Sequence, residues 1–122
     1  IINIASMYGL VSPKPENYKN FNKMSNPPYY GAVKAALIQY TKYAAVNLAK
    51  YNIRVNSISP GAFPNLLTQK NKNFINKLKK NIPLNRIGKP NDLKTSIVYL
   101  CSKNSSYVTG TNLIVDGGWT AW

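Results

Sequence analysis

Tyr30 and Lys34 stand four residues apart in the run Pro28-Tyr29-Tyr30-Gly31-Ala32-Val33-Lys34-Ala35-Ala36-Leu37. On a helix, residues at i and i+4 share a face, with Cβ atoms roughly 5–6 Å apart. The spacing therefore sets a phenol beside an ammonium. A protonated lysine favours the phenolate of a neighbouring tyrosine, and at about 4 Å with an effective dielectric near 20 the attraction is on the order of 4 kcal/mol before screening. The pair is a candidate proton donor with its tuner, although the same spacing also describes an ordinary surface pair. Tyr29 is the weaker candidate, because its i+4 neighbour is the uncharged Val33.

For the pair to act, residues 30–50 must be helical. Val33, Leu37, Tyr40 or Thr41, Ala44 and Leu48 recur at steps of three and four, after two prolines and before Asn52. The alanines at 35, 36, 44, 45 and 49 make a strong helix former with a thin second face that invites close packing by another helix. Before it, residues 1–5 form a branched apolar run that suits a buried parallel strand ending in a functional turn, Ser6-Met7-Tyr8-Gly9. Residues 12–28, with Pro13, Pro15, Pro27 and Pro28, read as a long loop with one irregular turn around 18–21. Beyond the helix, residues 53–59 alternate with period two and stop at Pro60-Gly61, which predicts a second strand and a βαβ crossover. Residues 62–71 look irregular. A short helix is expected over 72–81, with Phe74, Leu78 and Ile82 inward. Another is expected from Pro90, with Asp92 at its positive end and Leu93, Ile97, Leu100 and Cys101 as its stripe. A last strand over 111–115 precedes Asp116-Gly117-Gly118. The expected class is α/β, βαβααβ, the carboxy-terminal part of a doubly wound parallel sheet.

Composition narrows the functions. The formal charge is +13, from 16 Lys and Arg against 3 Asp and Glu. That balance raises nucleic acid as a partner. The lysines are scattered, however, and Arg54 and Arg86 are the only arginines, the residue favoured for bidentate contacts. The densest basic run, 70–80, reads as a solvated helix face, so neither a nucleic-acid nor a membrane partner is expected. With no His and one Cys, a structural zinc site or a Ser-His-Asp arrangement has no residues to draw on, and no metal site is expected. Cys101 fits a reducing cytoplasm. The opening run is too short for a signal-peptide core. The first residue is not Met, and the chain opens in what reads as a buried strand. The expectation is one partial domain, 1–122, whose amino-terminal half lies in a longer parent protein. An isolated strand edge of this kind predicts poor solubility for the chain alone.

Five stretches, in order, resemble the short-chain dehydrogenases/reductases over nearly the whole chain. They are Ile2-Asn3-Ile4-Ala5-Ser6 with Gly9; Tyr30-x-x-x-Lys34; Arg54-Val55-Asn56-x-Ile58-x-Pro60-Gly61; Pro83-Leu84-x-Arg86-x-Gly88-x-Pro90-x-Asp92-Leu93; and Tyr107-Val108-Thr109-Gly110-x-x-Leu113-x-Val115-Asp116-Gly117-Gly118. The resemblance implies a Rossmann-like sheet and hydride transfer between NAD or NADP and an alcohol or carbonyl substrate. Tyr30 is then the general acid/base, Ser6 polarises the substrate oxygen, and Lys34 eases loss of the phenol proton and hydrogen-bonds the nicotinamide ribose. Pro60, Gly61, Ala62 and Phe63 approach the nicotinamide. Asn65 stands near the position of a family threonine that contacts the carboxamide. The family helix matching 30–50 commonly packs against its copy in a dimer or tetramer.

By the same reading Asn56 hydrogen-bonds neighbouring backbone, Asp92 is a helix-terminus charge, and Asp116-Gly117-Gly118 is a turn. Ser6-Met7-Tyr8-Gly9 with Asn26-Pro27-Pro28 resembles enzymes acting on sugar or polyol derivatives. Two departures stand out. Ser6 and Tyr30 are 24 positions apart, more than is usual, and the excess is loop 12–28, a candidate border of the substrate pocket. The seven glycines contain no Gly-x-Gly-x-x-Gly, so the pyrophosphate cradle and the residue choosing NAD over NADP are expected outside this chain, which alone would be inactive. The competing expectation is a non-catalytic module that assembles through helix 30–50.

Overall fold

A computed structural model describes residues 1–19 and 26–122. Three parallel strands, β1 (Ile2–Ile4), β2 (Asn56–Pro60) and β3 (Asn112–Val115), lie side by side in that order. The helices are α1 (Pro15–Tyr18), α2 (Pro28–Leu48), α3 (Leu66–Gln69), α4 (Lys72–Lys80) and α5 (Pro90–Cys101). The class is the expected α/β, with a three-stranded parallel sheet. No helix of the described residues is long and apolar enough to cross a membrane.

Strand alternation assigns the two long helices to opposite faces. Asn3 donates its Nδ2–H to Thr41 Oγ1 of α2 at 2.9 Å. Its neighbours Ile2 and Ile4, on the other face, line a hollow with Ile97 and Leu100 of α5. Both crossovers step the same way across the sheet with helices on opposite faces. They are therefore of opposite hand, and one is of the uncommon left-handed kind. β2, the middle strand, is covered on both sides: Asn56, Ser57, Ile58 and Ser59 are all at most 1% exposed.

Several boundaries differ from the expectations for identifiable reasons. α2 begins at Pro28, because proline is tolerated in a first turn where its missing N–H has no partner to lose. It ends in a 3-10 turn over 49–51, and Asn52 closes it in the left-handed region at φ 58°. β2 starts at Asn56 rather than at 53, since Val55 N–H turns aside to Thr109 Oγ1. Residues 62–71 are not wholly irregular: Asn65 Oδ1 accepts from Thr68 N–H at 2.8 Å and caps the single turn α3. In the long loop, the helical turn sits at Pro15–Tyr18 with proline in its first turn; the rest of the expected turn at 18–21 extends outside the described residues.

The expected inward stripes hold on α4, where Phe74, Leu78 and Ile82 just beyond it are buried. On α2 the expected stripe holds in part. Of that stripe, Ala44 is buried and, of the alternatives Tyr40 and Thr41, Thr41 is the buried one while Tyr40 is 58% exposed; Val33 is 60% exposed, and Ile38 and Ala45 join the inward face instead. Apolar residues surround this helix, so periodicity alone could not select the face; the small Ala44 and Ala45 and the Thr41–Asn3 bond did. On α5, Leu100 is buried and Cys101 is exposed.

Candidate active site

The 3-10 turn Met7–Gly9 carries the chain from β1 onto the first turns of α2. The approach is backbone to backbone. A Cβ at Gly9 would lie 2.8 Å from Lys34 C, and one at Gly31 would lie 2.7 Å from Tyr8 O. Each glycine admits the other segment, which is why the turn can dock on the helix that holds Tyr30 and Lys34. Ser6 starts the turn: its Oγ accepts from Tyr8 N–H at 3.2 Å, and the residue is buried. That bond fixes the hydroxyl oxygen and leaves its proton available.

Tyr30 is half-buried and packs against an aromatic and aliphatic cluster that includes Met7, Tyr8, Ala62, Phe74 and Trp119. Lys34 donates from Nζ to Ile4 O at 2.7 Å, and the same nitrogen lies 5.7 Å from the Tyr30 ring centroid. The ammonium is thus held by the last residue of β1, close to the ring, with two further N–H groups to give. Tyr29 points away and is 70% exposed.

The carboxyl end of β2 adds the second wall. Gly61 N–H bonds Val115 O at 2.9 Å, extending the ladder past Pro60, and Ala62 is buried in the cluster that Tyr30 joins. Ala62 O accepts from Gly88 N–H at 2.9 Å, which ties this loop to the segment before α5. Ala62 and Phe63 border a cavity of about 490 Å³ with Leu84, Arg86 and Asp116. Asn65 stands apart from this group: it is exposed, with its side-chain oxygen engaged in capping α3.

Residues read as structural are fully engaged. Asn56 donates to Val108 O at 2.9 Å and accepts from Thr111 N–H at 3.1 Å. Asp116 accepts from Gly118 N–H, Thr120 N–H and Thr120 Oγ1, closing the turn. Asp92 accepts from Lys89 N–H at the start of α5 and forms a bidentate pair with Arg86, which holds its carboxyl down at about 2. The Arg86 partner was not foreseen.

Sequence reasoning also missed Tyr8, Tyr18 and Trp119. Tyr8 and Tyr18 share a hydroxyl–hydroxyl bond of 2.7 Å, and Trp119 stands edge-on to Tyr8 at 6.4 Å between centroids. Burial pushes the Tyr8 hydroxyl far up from its ordinary value, and the bond to Tyr18 adds to the shift; burial also raises Tyr18. Both are therefore neutral donors. Their only signal was an aromatic residue in the turn after Ser6 and another in loop 12–28.

Residues 17–120 match the family model described as enoyl-(acyl carrier protein) reductase. The NADH-dependent L-xylulose reductase of Ambrosiozyma monospora is 37% identical over 100% of this chain and 43% of its own length. The 3-oxoacyl-[acyl-carrier-protein] reductase FabG of Chlamydia trachomatis serovar D is 38% identical over 97% of this chain and 44% of its own. Among solved structures, a short-chain dehydrogenase from Leptospira borgpetersenii with bound NAD+ superposes with a TM-score of 0.86 at 40% identity, over 98% of this chain and 44% of that one. The chain thus spans less than half the length of each. On the match of residues 17–120 to the family model and the likeness to these relatives, the chain belongs to the short-chain dehydrogenase/reductase family.

Proposed function

We propose that this chain is the catalytic part, a partial domain over 1–122, of an NAD- or NADP-dependent oxidoreductase acting on an alcohol or carbonyl, with a sugar or polyol derivative as substrate. The observation that carries the reading is the anchoring of Lys34 Nζ on Ile4 O, two residues before Ser6, while it lies 5.7 Å from the Tyr30 ring centroid. The sugar or polyol class is supported by likeness to a protein named as a xylulose reductase. The non-catalytic alternative has no support in the relatives, which are named as reductases and a dehydrogenase.

The residues present fit the nicotinamide end of the cofactor. Lys34 has two unused N–H groups for a ribose, and Pro60, Gly61, Ala62 and Phe63 form a wall at the carboxyl edge of the sheet, where α/β folds bind ligands. Asn65 joins that wall only if its amide N–H groups reach the carboxamide, since its oxygen is engaged. A pyrophosphate site does not fit here, because no Gly-x-Gly-x-x-Gly exists among the glycines. When bound, the nicotinamide supplies or accepts the hydride. In the reducing direction, the Tyr30 hydroxyl gives its proton to the carbonyl oxygen, and in oxidation it takes that proton back. Negative charge left on the phenol oxygen is stabilised by the Lys34 ammonium. Ser6, its oxygen fixed by Tyr8 N–H, donates its own proton to the same substrate oxygen and aligns it.

Self-association through α2 is part of this reading. Tyr29, Val33, Tyr40, Tyr43 and Val46 are all at least 58% exposed on a helix whose other face is already packed. The free, exposed Cys101 accords with a cytoplasmic setting. The test is a cofactor-linked assay of the whole protein against ketoses, polyols and simple secondary alcohols with either nicotinamide dinucleotide. Turnover with at least one pair is expected; none with any would overturn the proposal. Sedimentation of the whole protein as a monomer would remove the α2 interface.

A further inference from the structure

Two phenols beside Tyr30 are not accounted for by hydride transfer. Tyr8 Oη and Tyr18 Oη are 2.7 Å apart. Each hydroxyl carries one proton, so their mutual bond uses one and leaves one O–H to give. Among the described residues neither hydroxyl has another partner. A partly buried donor left idle is unfavourable, and it is the kind of group that a ligand oxygen satisfies. Because burial keeps both phenols protonated, the pair can donate but does not serve as a base.

Its position is fixed from several sides. Tyr8 follows Ser6 by two residues, donates its N–H to Ser6 Oγ, and stands edge-on to Trp119 at 85°. Tyr18 packs on Phe74 of α4 at 5.8 Å between centroids. The turn α1 that carries Tyr18 is tied to the end of α4, where Asn81 Nδ2 donates to Asn17 Oδ1 at 2.9 Å. Tyr8 lines a hollow of about 410 Å³ and Tyr18 one of about 630 Å³, and the two hollows share Pro13, Asn26 and Pro28. Tyr30 and Tyr18 pack against the same cluster that contains Tyr8. The polar pair therefore packs with the proposed proton donor around one cluster, and its two residues line adjoining hollows bordered by residues 8–19 and 26–32.

We propose that Tyr8 and Tyr18 act together as a specificity pair, giving their remaining O–H to a substrate oxygen other than the one that reacts, and so select polyhydroxylated ligands over monofunctional ones. An alcohol without a second oxygen leaves that donor unmatched, and a site built to hydrogen-bond a substrate group discriminates strongly against analogues that lack it. This rests on the oxidoreductase reading above and deepens it.

The test is calorimetric titration of the whole protein, loaded with oxidised cofactor, with xylitol and with cyclohexanol. The double variant Tyr8→Phe/Tyr18→Phe keeps both rings, against Trp119 and Phe74, and deletes both hydroxyls. Xylitol affinity is expected to fall about tenfold, with cyclohexanol affinity unchanged. Equal losses for both alcohols, no loss for either, or no saturable xylitol binding by the unaltered protein would overturn the proposal. Tyr30→Phe separates the two readings: abolished turnover with xylitol binding intact supports the proton-donor assignment, whatever the phenol pair does.

Discussion

The two ends of β2 are built on different principles. At its amino end, polar side chains are engaged mainly with backbone. Arg54 reaches Val108 O, Leu100 O and Ser102 O, and Asn56 uses both of its side-chain polar atoms. At the carboxyl end, polar groups keep capacity in hand: Lys34 has one bond from three donors, Ser6 has an unused proton, and the Tyr30 hydroxyl has no partner among the described residues. A latch gains from complete satisfaction, whereas a site must retain groups for a ligand. Location in a strand-end motif does not separate these roles; the remaining hydrogen-bonding capacity does.

The contrast can be broken by substitutions at each end. Gly9→Ala drives a methyl group into the Lys34 backbone, 2.8 Å from its carbonyl carbon, so the turn bearing Ser6 must shift. Turnover of the whole protein is expected to fall roughly a hundredfold, as for an ångström-scale misplacement, with about 1–3 kcal/mol lost in urea unfolding. Unchanged kinetics would mean that the close docking does not position the site. Asn56→Ala, at a residue 1% exposed, leaves Val108 O and Thr111 N–H without their side-chain partner. The expected loss is about 2–3 kcal/mol of stability, with activity per folded molecule near that of the parent. A large drop in activity of the folded fraction would move Asn56 from latch to site.

The smallest effect belongs to Asp92 and Arg86, a solvent-facing pair that fastens the segment before α5. The Arg86 guanidinium, followed by Lys89 N–H, lowers the Asp92 carboxyl to about 2. A depressed carboxylate contributes stability above its unfolded value near 4, and the contribution disappears as pH falls from about 4 to about 2. Asp92→Asn should therefore lower the melting temperature slightly at neutral pH and not at pH about 2. Salt should shrink the difference. A gap that persists at low pH would assign the effect to capping rather than charge.

The local placement of the candidate site residues was legible because it depends on local rules. Tyr30 and Lys34 meet through helical spacing, Ser6 and Pro60-Gly61 end strands, and Asp92 sits in a first turn. The inward face of α2 was legible only in part: Ala44 was expected inside, but apolar residues ring the helix, and the choice of Thr41 over Tyr40 goes with the Asn3–Thr41 contact across 38 positions. The Tyr8–Tyr18 bond and Trp119 were missed for a related reason: side chains brought together by tertiary packing leave no periodic trace. Asn65-x-x-Thr68 was a readable capping signal, passed over beside Pro64 and a polar run.

The central claim is that Tyr30 moves the proton while Lys34, held by Ile4 O, supports the charge. Single-turnover absorbance of the nicotinamide in the whole protein carrying Tyr30→Phe tests it most directly. A fall of at least roughly a thousandfold in the hydride-transfer rate is expected, with cofactor affinity within about twofold of the parent. A rate within about tenfold of the parent would contradict the account.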